Sequence, residues 1–165
     1  MGDKAVVDAG PLIHLWEIDS LSALGVFEEL HVLDGVWDEA VREGRLHAEL
    51  LLDMRNLKRH PLAGPEIHQF VLAHSFTGLQ AGELACLHLC SRLHLTLILT
   101  DDLAARVAAE TLGLTPIGSL GVVVRAFRER IFSFETARQH LLDLYVVSSL
   151  FVTRAIVEMA IEQLG

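Results

Sequence analysis

The chain lacks the features that mark several classes of protein. Its 165 residues include two cysteines and four prolines, too few for a disulfide scaffold or a proline-rich segment. The longest stretches without a charged residue, 67–82 and 111–124, are shorter than the ~20 apolar residues of a membrane span and contain Gly, Pro or His. Asp3 and Asp8 interrupt the N-terminus where a signal peptide is apolar. We therefore expect a cytoplasmic protein with no membrane segment.

Positive charge is also scarce. The chain has 13 Lys and Arg against 22 Asp and Glu, a formal net charge of -9, which argues against a broad positive field for nucleic acid. It does not exclude an enzyme with an acidic site, because carboxylates that bind a divalent cation restore a local attraction for phosphate. Apolar residues make up 52% of the chain, enough to bury a sizeable core in one domain over 1–165.

Short aliphatic runs alternate with longer segments of helical periodicity, a pattern typical of βαβ units and a mainly parallel sheet. The chain is therefore predicted to have an α/β fold. Pro116 cannot donate to a central ladder, so the last strand is expected at an edge. Segment 66–72 fits a strand or a helix. The predicted strands are 5–8, 31–33, 96–100 and 115–118.

Helical periodicity covers most of the remaining chain. A break is expected near Gly44, and residues 134–164 are predicted to form two C-terminal helices packed on the domain. Ser119, in the sequence Gly-Ser-Leu-Gly, is expected to cap the helix that follows it. The predicted helical segments are 12–16, a short one before Leu30, two or more within 37–58, 79–92, 103–112 and 120–130.

Acidic residues follow two of the predicted strands. Asp8 ends the first strand, and Asp101 and Asp102 follow the strand 96–100. Ligands of parallel sheets bind outside the carboxyl ends of the strands, so these side chains are expected to lie close together. His14 is near Asp8 in sequence and could approach the same place. An acid that closes a short buried strand is costly unless it has a function.

Two further acids can join this edge from helices. Glu83 lies in the first turn of the helix before the strand 96–100, and Glu43 lies one turn after Glu39. Carboxylates 4 Å apart repel by roughly 4 kcal/mol at an effective dielectric near 20, so the cluster needs protons or a cation. Mg²⁺ or Mn²⁺ is the predicted cation, and it could activate water for attack on a phosphodiester. Each acid could instead be a separate helix cap or solvated residue.

Four segments carry a family resemblance. They are VVDAGPLIHL at 6–15, VWDEAVREG at 36–44, LQAGELACLHL at 79–89 and LILTDDLAARVAAETLGLTPIGSLGVVVRA at 97–126. The chain resembles the PIN domain family, and specifically its VapC-like prokaryotic branch. The resemblance implies a three-layer α/β/α sandwich with a mainly parallel central sheet, a metal-dependent endoribonuclease activity on RNA, and a small antitoxin protein as partner.

The resemblance also implies which residues form the site. The cofactor would be Mg²⁺ or Mn²⁺, and Arg106 could contact the substrate phosphate or form a surface ion pair. Basic side chains such as Arg42, Arg45 and Arg125 could guide the RNA backbone. The implied catalytic acids are Asp8, Glu43, Glu83 and Asp101, and the metal ligands are drawn from Asp8, Glu83, Asp101 and Asp102.

The sequence departs from the family pattern at two positions. Gly10 stands where the family usually has Ser or Thr, whose hydroxyl helps to orient the first acid, so a looser site is expected. Trp37 stands where the family usually has Pro, which leaves Glu39 as a substitute for Glu43.

The doubled acid leaves a second choice open. Asp101 is favoured as the ligand because it ends the strand, and Asp102 is expected to cap the next helix.

Two other features of the sequence could suggest a site. Cys86, Cys90 and His94 recur every four residues, but one helix face seldom supplies three ligands to zinc, so the cysteines are expected to be buried packing residues. The last helix has an apolar stripe that includes Val152, Ala155, Ile156, Met159 and Ala160. That stripe is expected to pack on the core, with a homodimer interface or an antitoxin groove as its second use.

Two functions therefore remain after the sequence alone. The first is a Mg²⁺- or Mn²⁺-dependent endoribonuclease, which could be the toxin of a toxin-antitoxin pair. The second is a catalytically weak or inactive PIN-like scaffold that binds nucleic acid or protein, an alternative motivated by Gly10 and by the acidic composition.

Overall fold

A computed structural model describes residues 2–61, 64–74, 76 and 78–165. Within these residues the strands form one sheet in the order β3-β2-β1-β4-β5, and every neighbouring pair is parallel. The order reverses between β1 and β4, which are paired neighbours at the centre of the sheet. The strands are β1 (Asp3–Val7), β2 (Phe27–Leu33), β3 (Leu57–His60), β4 (Leu97–Leu99) and β5 (Thr115–Ile117).

Helices flank this sheet, which gives the predicted three-layer α/β/α sandwich. Helices α4, α5 and α6 contact one another in series, and α1, α7, α8 and a 3-10 helix form a second packed group. The helices are α1 (Ala9–Glu17), the 3-10 helix (Leu21–Val26), α2 (Asp34–Arg42), α3 (Ala48–Leu52), α4 (Gly64–Ala73), α5 (Ala81–Leu93), α6 (Leu103–Thr111), α7 (Ser119–Arg128), α8 (Phe134–Val146) and α9 (Arg154–Glu162).

The central strands are buried, which explains their uninterrupted apolar sequences. Ala5, Val6 and Val7 of β1 have no exposed surface, and Ile98 and Leu99 of β4 are almost as deeply buried. Strands covered by helices on both faces need apolar residues at every position instead of alternate ones. The short runs in the sequence therefore identified the centre of the sheet.

The sequence gives a weaker signal for β2 and β3, on one side of the central strand β1. The prediction of 31–33 captured only the end of β2, because Glu28 and Glu29 near its start interrupt the apolar pattern. The prediction of helix through Lys58 was wrong, since Lys58 lies in β3. This strand is at the edge of the sheet and two of its four residues are exposed, so its sequence carries little apolar signal. Segment 66–72 is helical, within α4.

Gly44 separates α2 from α3, as predicted. A Cβ atom at this position would lie 2.4 Å from Ile13 Cγ1 and 2.6 Å from the Ala40 carbonyl oxygen. Only glycine permits so close an approach between the end of α2 and the side of α1. The contact holds α2 beside α1, and so places the residues of α2 near the start of α1.

The C-terminal helices α8 and α9 both pack on α7. The predicted buried face of α9 was wrong, because Ala155, Ile156 and Met159 are exposed. The buried residues are instead Val157, Ala160 and Leu164, whose spacing of three and four residues defines a neighbouring face of the helix. Ile156 and Met159 are therefore left outside the core. Among the described residues, no helix has the length and apolar character required to cross a membrane.

Candidate active site

The candidate site lies where the strand order reverses. Asp8 follows β1 directly, and its backbone N–H donates to the Leu99 carbonyl of β4 at 2.9 Å. Asp101 follows β4 by two residues, after the fully buried Thr100. The register that pairs Val7 with Leu99 brings the two strand ends to the same level. Both acids consequently lie at the carboxyl edge of the sheet, where parallel α/β sheets bind ligands.

A cleft of about 330 Å³ opens at this edge. The residues that line it come from the ends of β1 and β4, from α1 and α2, from the start of α5 and from the loop before α9. Among the described residues, no Lys or Arg lines the cleft, so its electrostatic potential is set by acids. The acidic residues that line it are Asp8, Glu39, Glu83, Asp101 and Asp102.

Asp8 is oriented by three protein groups. Its carboxylate caps α1 by accepting the Ala9 N–H at 2.8 Å, and the Thr100 hydroxyl donates to its other oxygen at 3.4 Å. The buried Cys86 thiol lies 3.8 Å from Asp8 Oδ1. Burial raises the pKa of Asp8, the two hydrogen bonds oppose that rise, and the charges of Asp102 and Asp101 add to it. Asp8 therefore has hydrogen-bond partners in the protein although position 10 supplies no hydroxyl.

Glu39 and Glu83 face the same cleft from two helices. Burial raises the pKa of Glu39, and the nearby charges of Asp8 and Glu43 raise it further. Burial also raises the pKa of Glu83, against the effect of a 2.9 Å hydrogen bond from the Gln80 N–H in the capping box of α5. The charges of Asp102, Asp8 and Glu39 raise the Glu83 pKa as well. The acids are thus close enough to disfavour one another's ionisation.

Both oxygens of Asp101 are engaged by protein donors. The Ser119 N–H donates to Oδ1 at 2.6 Å, and the Ser119 hydroxyl donates to Oδ2 at 2.5 Å. His14 Nδ1 is 2.7 Å from the same Oδ2. Gly118 makes this approach possible, because a Cβ there would lie 2.9 Å from Asp101 Oδ1 and 2.8 Å from an Arg106 nitrogen.

Asp102 is exposed and caps α6. Its carboxylate accepts the Ala105 N–H at 2.8 Å, which is the capping role expected from the sequence. It also lines the cleft, together with the other acids. Asp102 therefore both caps α6 and contributes to the lining of the cleft.

Glu43 lies outside the cleft. It is the exposed C-terminal cap of α2, one turn beyond Glu39, and it is not among the residues that line the cavity. The structure thus places Glu39, the substitute allowed by the sequence, beside Asp8 and Glu83. One helical turn displaces a side chain by ~5.4 Å along the axis, which is enough to remove Glu43 from the site.

The basic residues named from the sequence take different positions. Arg106 lies on α6 beside the cleft, where its guanidinium donates to the Thr100 carbonyl at 3.4 Å. Arg125 is instead paired with Asp3 and lies over the ring of Phe27, with its guanidinium carbon 5.0 Å from the ring centroid. Because Asp3 begins β1 and Asp8 follows its end, Arg125 lies at the opposite end of β1 from the cleft.

The donor chemistry of the cleft fits Mg²⁺ or Mn²⁺, which prefer carboxylate oxygens. Like-charged carboxylates with mutually raised pKa values are also the arrangement that a cation would relieve. In the conformation described for 2–61, 64–74, 76 and 78–165, however, no group of three or more His, Cys, Asp or Glu side chains is arranged to hold a metal ion. The cleft supplies the right type of donor, with the carboxylates spread around its walls.

Sequence reasoning missed the role of Ser119. It was expected to cap α7, but Gly118 occupies the cap position and Ser119 is the first helical residue, fully buried against Asp101. Thr100 was also overlooked as a partner of Asp8. Both residues lie at the end of a strand or just after one, and polar residues at that edge are the signal that could have identified them. Cys86 and Cys90 are buried, as expected.

Comparison with protein families identifies a match over most of the chain. A family model described as a PIN domain covers residues 4–165, which is nearly the whole chain. A search of curated proteins found none that matches.

Proposed function

Because the chain belongs to the PIN domain family, whose members are generally nucleases, we propose that it is a Mg²⁺- or Mn²⁺-dependent endoribonuclease. The observation that carries this proposal is the set of five carboxylates around one cleft at the carboxyl edge of the sheet. Three of them have raised pKa values, because burial disfavours their charged forms and the neighbouring acids add to that effect, so holding them ionised costs free energy. Such a cost is expected at a site that binds a cation.

The chain's own residues would hold and orient the cation. Asp8, Glu83, Asp101 and Asp102 are the proposed ligands, and Glu39 takes the place first assigned to Glu43. When bound, Mg²⁺ or Mn²⁺ would supply Lewis-acid activation of the phosphodiester and of the attacking water.

Orientation of the two strand-end acids comes from the groups that hydrogen-bond them. The Ala9 N–H and the Thr100 hydroxyl fix Asp8, and Ser119 fixes Asp101. The ends of β1 and β4 are rigid because they are buried and paired. These contacts would maintain the spacing between the acids while substrate binds and product leaves.

Cleavage of a mixed RNA pool in the presence of Mn²⁺ tests the proposal. The wild-type chain should cleave, and Asp8→Asn should remove the activity while it preserves the shape of the side chain. Asp38→Asn is the matched control, because Asp38 is an exposed acid of α2 that does not line the cleft. Equal cleavage by wild type and Asp8→Asn would contradict the proposal.

The finer proposal is that this nuclease acts as the toxin of a toxin-antitoxin pair in the cytoplasm. The support is the VapC-like pattern of the motifs at 6–15, 36–44, 79–89 and 97–126. Induced expression should arrest growth with the wild-type chain and not with Asp8→Asn, and a small protein encoded beside it should relieve the arrest. Sedimentation would test the expected homodimer. Arrest by both chains would contradict a toxic nuclease.

The second candidate is a PIN-like scaffold without catalysis. The observation that favours it is the engagement of both Asp101 oxygens by Ser119 and His14, which leaves this carboxylate satisfied without a cation. Calorimetric titration with Mn²⁺ separates the two candidates. A nuclease should bind Mn²⁺ and lose affinity in Asp101→Asn, whereas a scaffold should show no binding at millimolar Mn²⁺ or the same binding in both chains.

A further inference from the structure

A second cavity adjoins the acidic cleft. It has a volume of about 640 Å³, within the ~300–1,000 Å³ typical of ligand pockets. Asp101, Leu150 and Phe151 line both cavities, so the two form one continuous surface. We call the second cavity the apolar groove. Its position means that a ligand in the groove would extend directly into the acidic cleft.

The walls of the groove are mostly apolar. The lining includes Ile117 of the edge strand β5, Leu120 of α7, and Ile156 and Met159 of α9. Phe151, in the loop before α9, has 98% of its surface exposed. An aromatic ring that is fully exposed beside an apolar cavity is available to stack on a planar ligand.

One positive charge borders this groove. Arg106 lines it and is half-buried, and its guanidinium donates to the Thr100 carbonyl at 3.4 Å. Within the described part of the chain, Arg106 forms no ion pair with a carboxylate within 4.0 Å. Its planar guanidinium therefore retains donors for a phosphate oxygen at the border of the acidic cleft.

We propose that the apolar groove binds one unpaired nucleobase of the RNA strand, stacked on Phe151, while Arg106 binds the neighbouring phosphate. The inference rests on the proposed nuclease function and adds to it a subsite that selects single-stranded RNA. A base within a duplex is already stacked and paired, so its faces cannot reach the ring. The continuity of the two cavities places the next phosphodiester of the strand at the acids. The flat face of a base suits an apolar groove with an exposed aromatic ring, and an anionic phosphate suits Arg106.

Fluorescence anisotropy with a labelled single-stranded hexaribonucleotide tests the proposal. The Asp8→Asn chain is the parent, so that the probe stays intact during the measurement. Phe151→Ala in this parent should weaken binding about 5- to 150-fold, the usual effect of losing one base–aromatic stack. Phe151→Trp should restore it. Tyr145→Ala is the matched control, because Tyr145 is an exposed aromatic residue of α8 that lines neither cavity.

Probes that lack single bases show whether Phe151 contacts a base. The abasic position is moved along the hexamer, and at one position it should lower the affinity for the parent chain. The same abasic hexamer should show no such loss of affinity for Phe151→Ala. A duplex of the same sequence should bind no differently to the two chains. Unchanged hexamer affinity in Phe151→Ala, or an abasic loss of equal size in both chains, would overturn the proposal.

The outcomes also separate the groove from the nuclease. If the wild-type chain cleaves RNA and Phe151→Ala changes neither cleavage nor binding, the base-binding proposal is wrong but the nuclease proposal stands. Binding that depends on Phe151 without any wild-type cleavage supports the groove and overturns the nuclease. If Phe151→Ala instead changes the sedimentation of the chain and not its RNA affinity, the groove is an interface between protein copies and the base-binding proposal is wrong.

Discussion

His14 Nδ1 lies 2.7 Å from Asp101 Oδ2, and this contact joins the middle of α1 to the end of β4. The two residues are 87 positions apart in the sequence. Both side chains are mostly buried, and the Ser119 hydroxyl donates to the same carboxylate oxygen. A cation that binds Asp101 through Oδ2 must therefore compete with His14 and Ser119 for that oxygen. His14 thus occupies an acceptor site of Asp101 that a cation could use.

Removal of His14 should make Asp101 a better ligand. A hydrogen bond to a charged group contributes about 1.5–3 kcal/mol, so releasing this one should tighten Mn²⁺ binding by roughly tenfold. Ser119 would still orient the carboxylate through its backbone N–H. Calorimetric titration of His14→Ala with Mn²⁺ measures the change. His68→Ala, at an exposed histidine of α4, is the control. Weaker binding in His14→Ala would show that His14 supports the cation site instead of competing with it.

Glu39 and Glu43 are one helical turn apart, and their substitution should affect Mn²⁺ binding and RNA cleavage very differently. Glu39 lines the cleft and has a raised pKa, whereas Glu43 is exposed outside it. Glu39→Gln should reduce Mn²⁺ affinity and RNA cleavage by about 10- to 100-fold. Glu43→Gln serves as the matched control and should leave both unchanged. The opposite ranking would return the role to Glu43 and would mean that α2 is rotated in the active protein.

Much of the sheet could be predicted because burial and function leave strong marks on a sequence. Continuous apolar runs identified β1 and β4, since both faces of these strands are covered. An acid directly after each run identified the carboxyl edge, because nothing in a core favours such a residue. The edge strand β5 was also foreseen, from Pro116. These features depend on local sequence alone.

Other features could not be predicted because they depend on the tertiary arrangement. β3 has two exposed residues among four, and it is a strand only because β2 offers a free edge. The choice between Glu39 and Glu43 depends on the rotation of α2 relative to the sheet, which brings Glu39 and not Glu43 to the cleft. The contact between Ser119 and Asp101 joins the start of α7 to the end of β4. Periodicity indicates that a helix exists, but it does not give the rotation of one helix against another.

Gly10 should accept a serine without strain. A Cβ at this position would lie 3.6 Å from both Asp101 Cβ and His14 Cε1, which are ordinary van der Waals contacts. Gly10 is in the first turn of α1, so Gly10→Ala should raise the free energy of unfolding by about 0.5 kcal/mol. Gly10→Ser should have a similar effect on stability, and its hydroxyl should add a donor for the acids and increase RNA cleavage. Urea denaturation and a cleavage assay measure the two effects.

The alanine variant is the control for this comparison, because it changes the backbone entropy without adding a hydroxyl. Cleavage that increases equally in Gly10→Ala and Gly10→Ser would show that the hydroxyl has no role. A large loss of stability in either variant would mean that the space beside Asp101 is smaller than the structure indicates.

The contribution of Asp8 and Glu39 to stability should fall as the pH rises through the acid range. The ordinary pKa values are 3.8 for Asp8 and 4.5 for Glu39, and burial raises both in the folded protein. The native chain therefore binds more protons than the unfolded chain, so this contribution is complete below the ordinary values and is lost above the raised ones. Asp8→Asn should consequently raise the free energy of unfolding near neutral pH, because the amide does not have to ionise in the buried site.

Thermal unfolding across the acid range, with and without Mn²⁺, checks this prediction. Without metal, Asp8→Asn should have the higher Tm near neutral pH and a smaller dependence on pH. With Mn²⁺, the Tm of the wild-type chain should rise more than that of Asp8→Asn, because a ligand stabilises the form that binds it. Asp38→Asn, at an exposed acid outside the cleft, should follow the wild type in both conditions. A lower Tm for Asp8→Asn without metal would mean that the hydrogen bonds of Asp8 outweigh the repulsion among the acids.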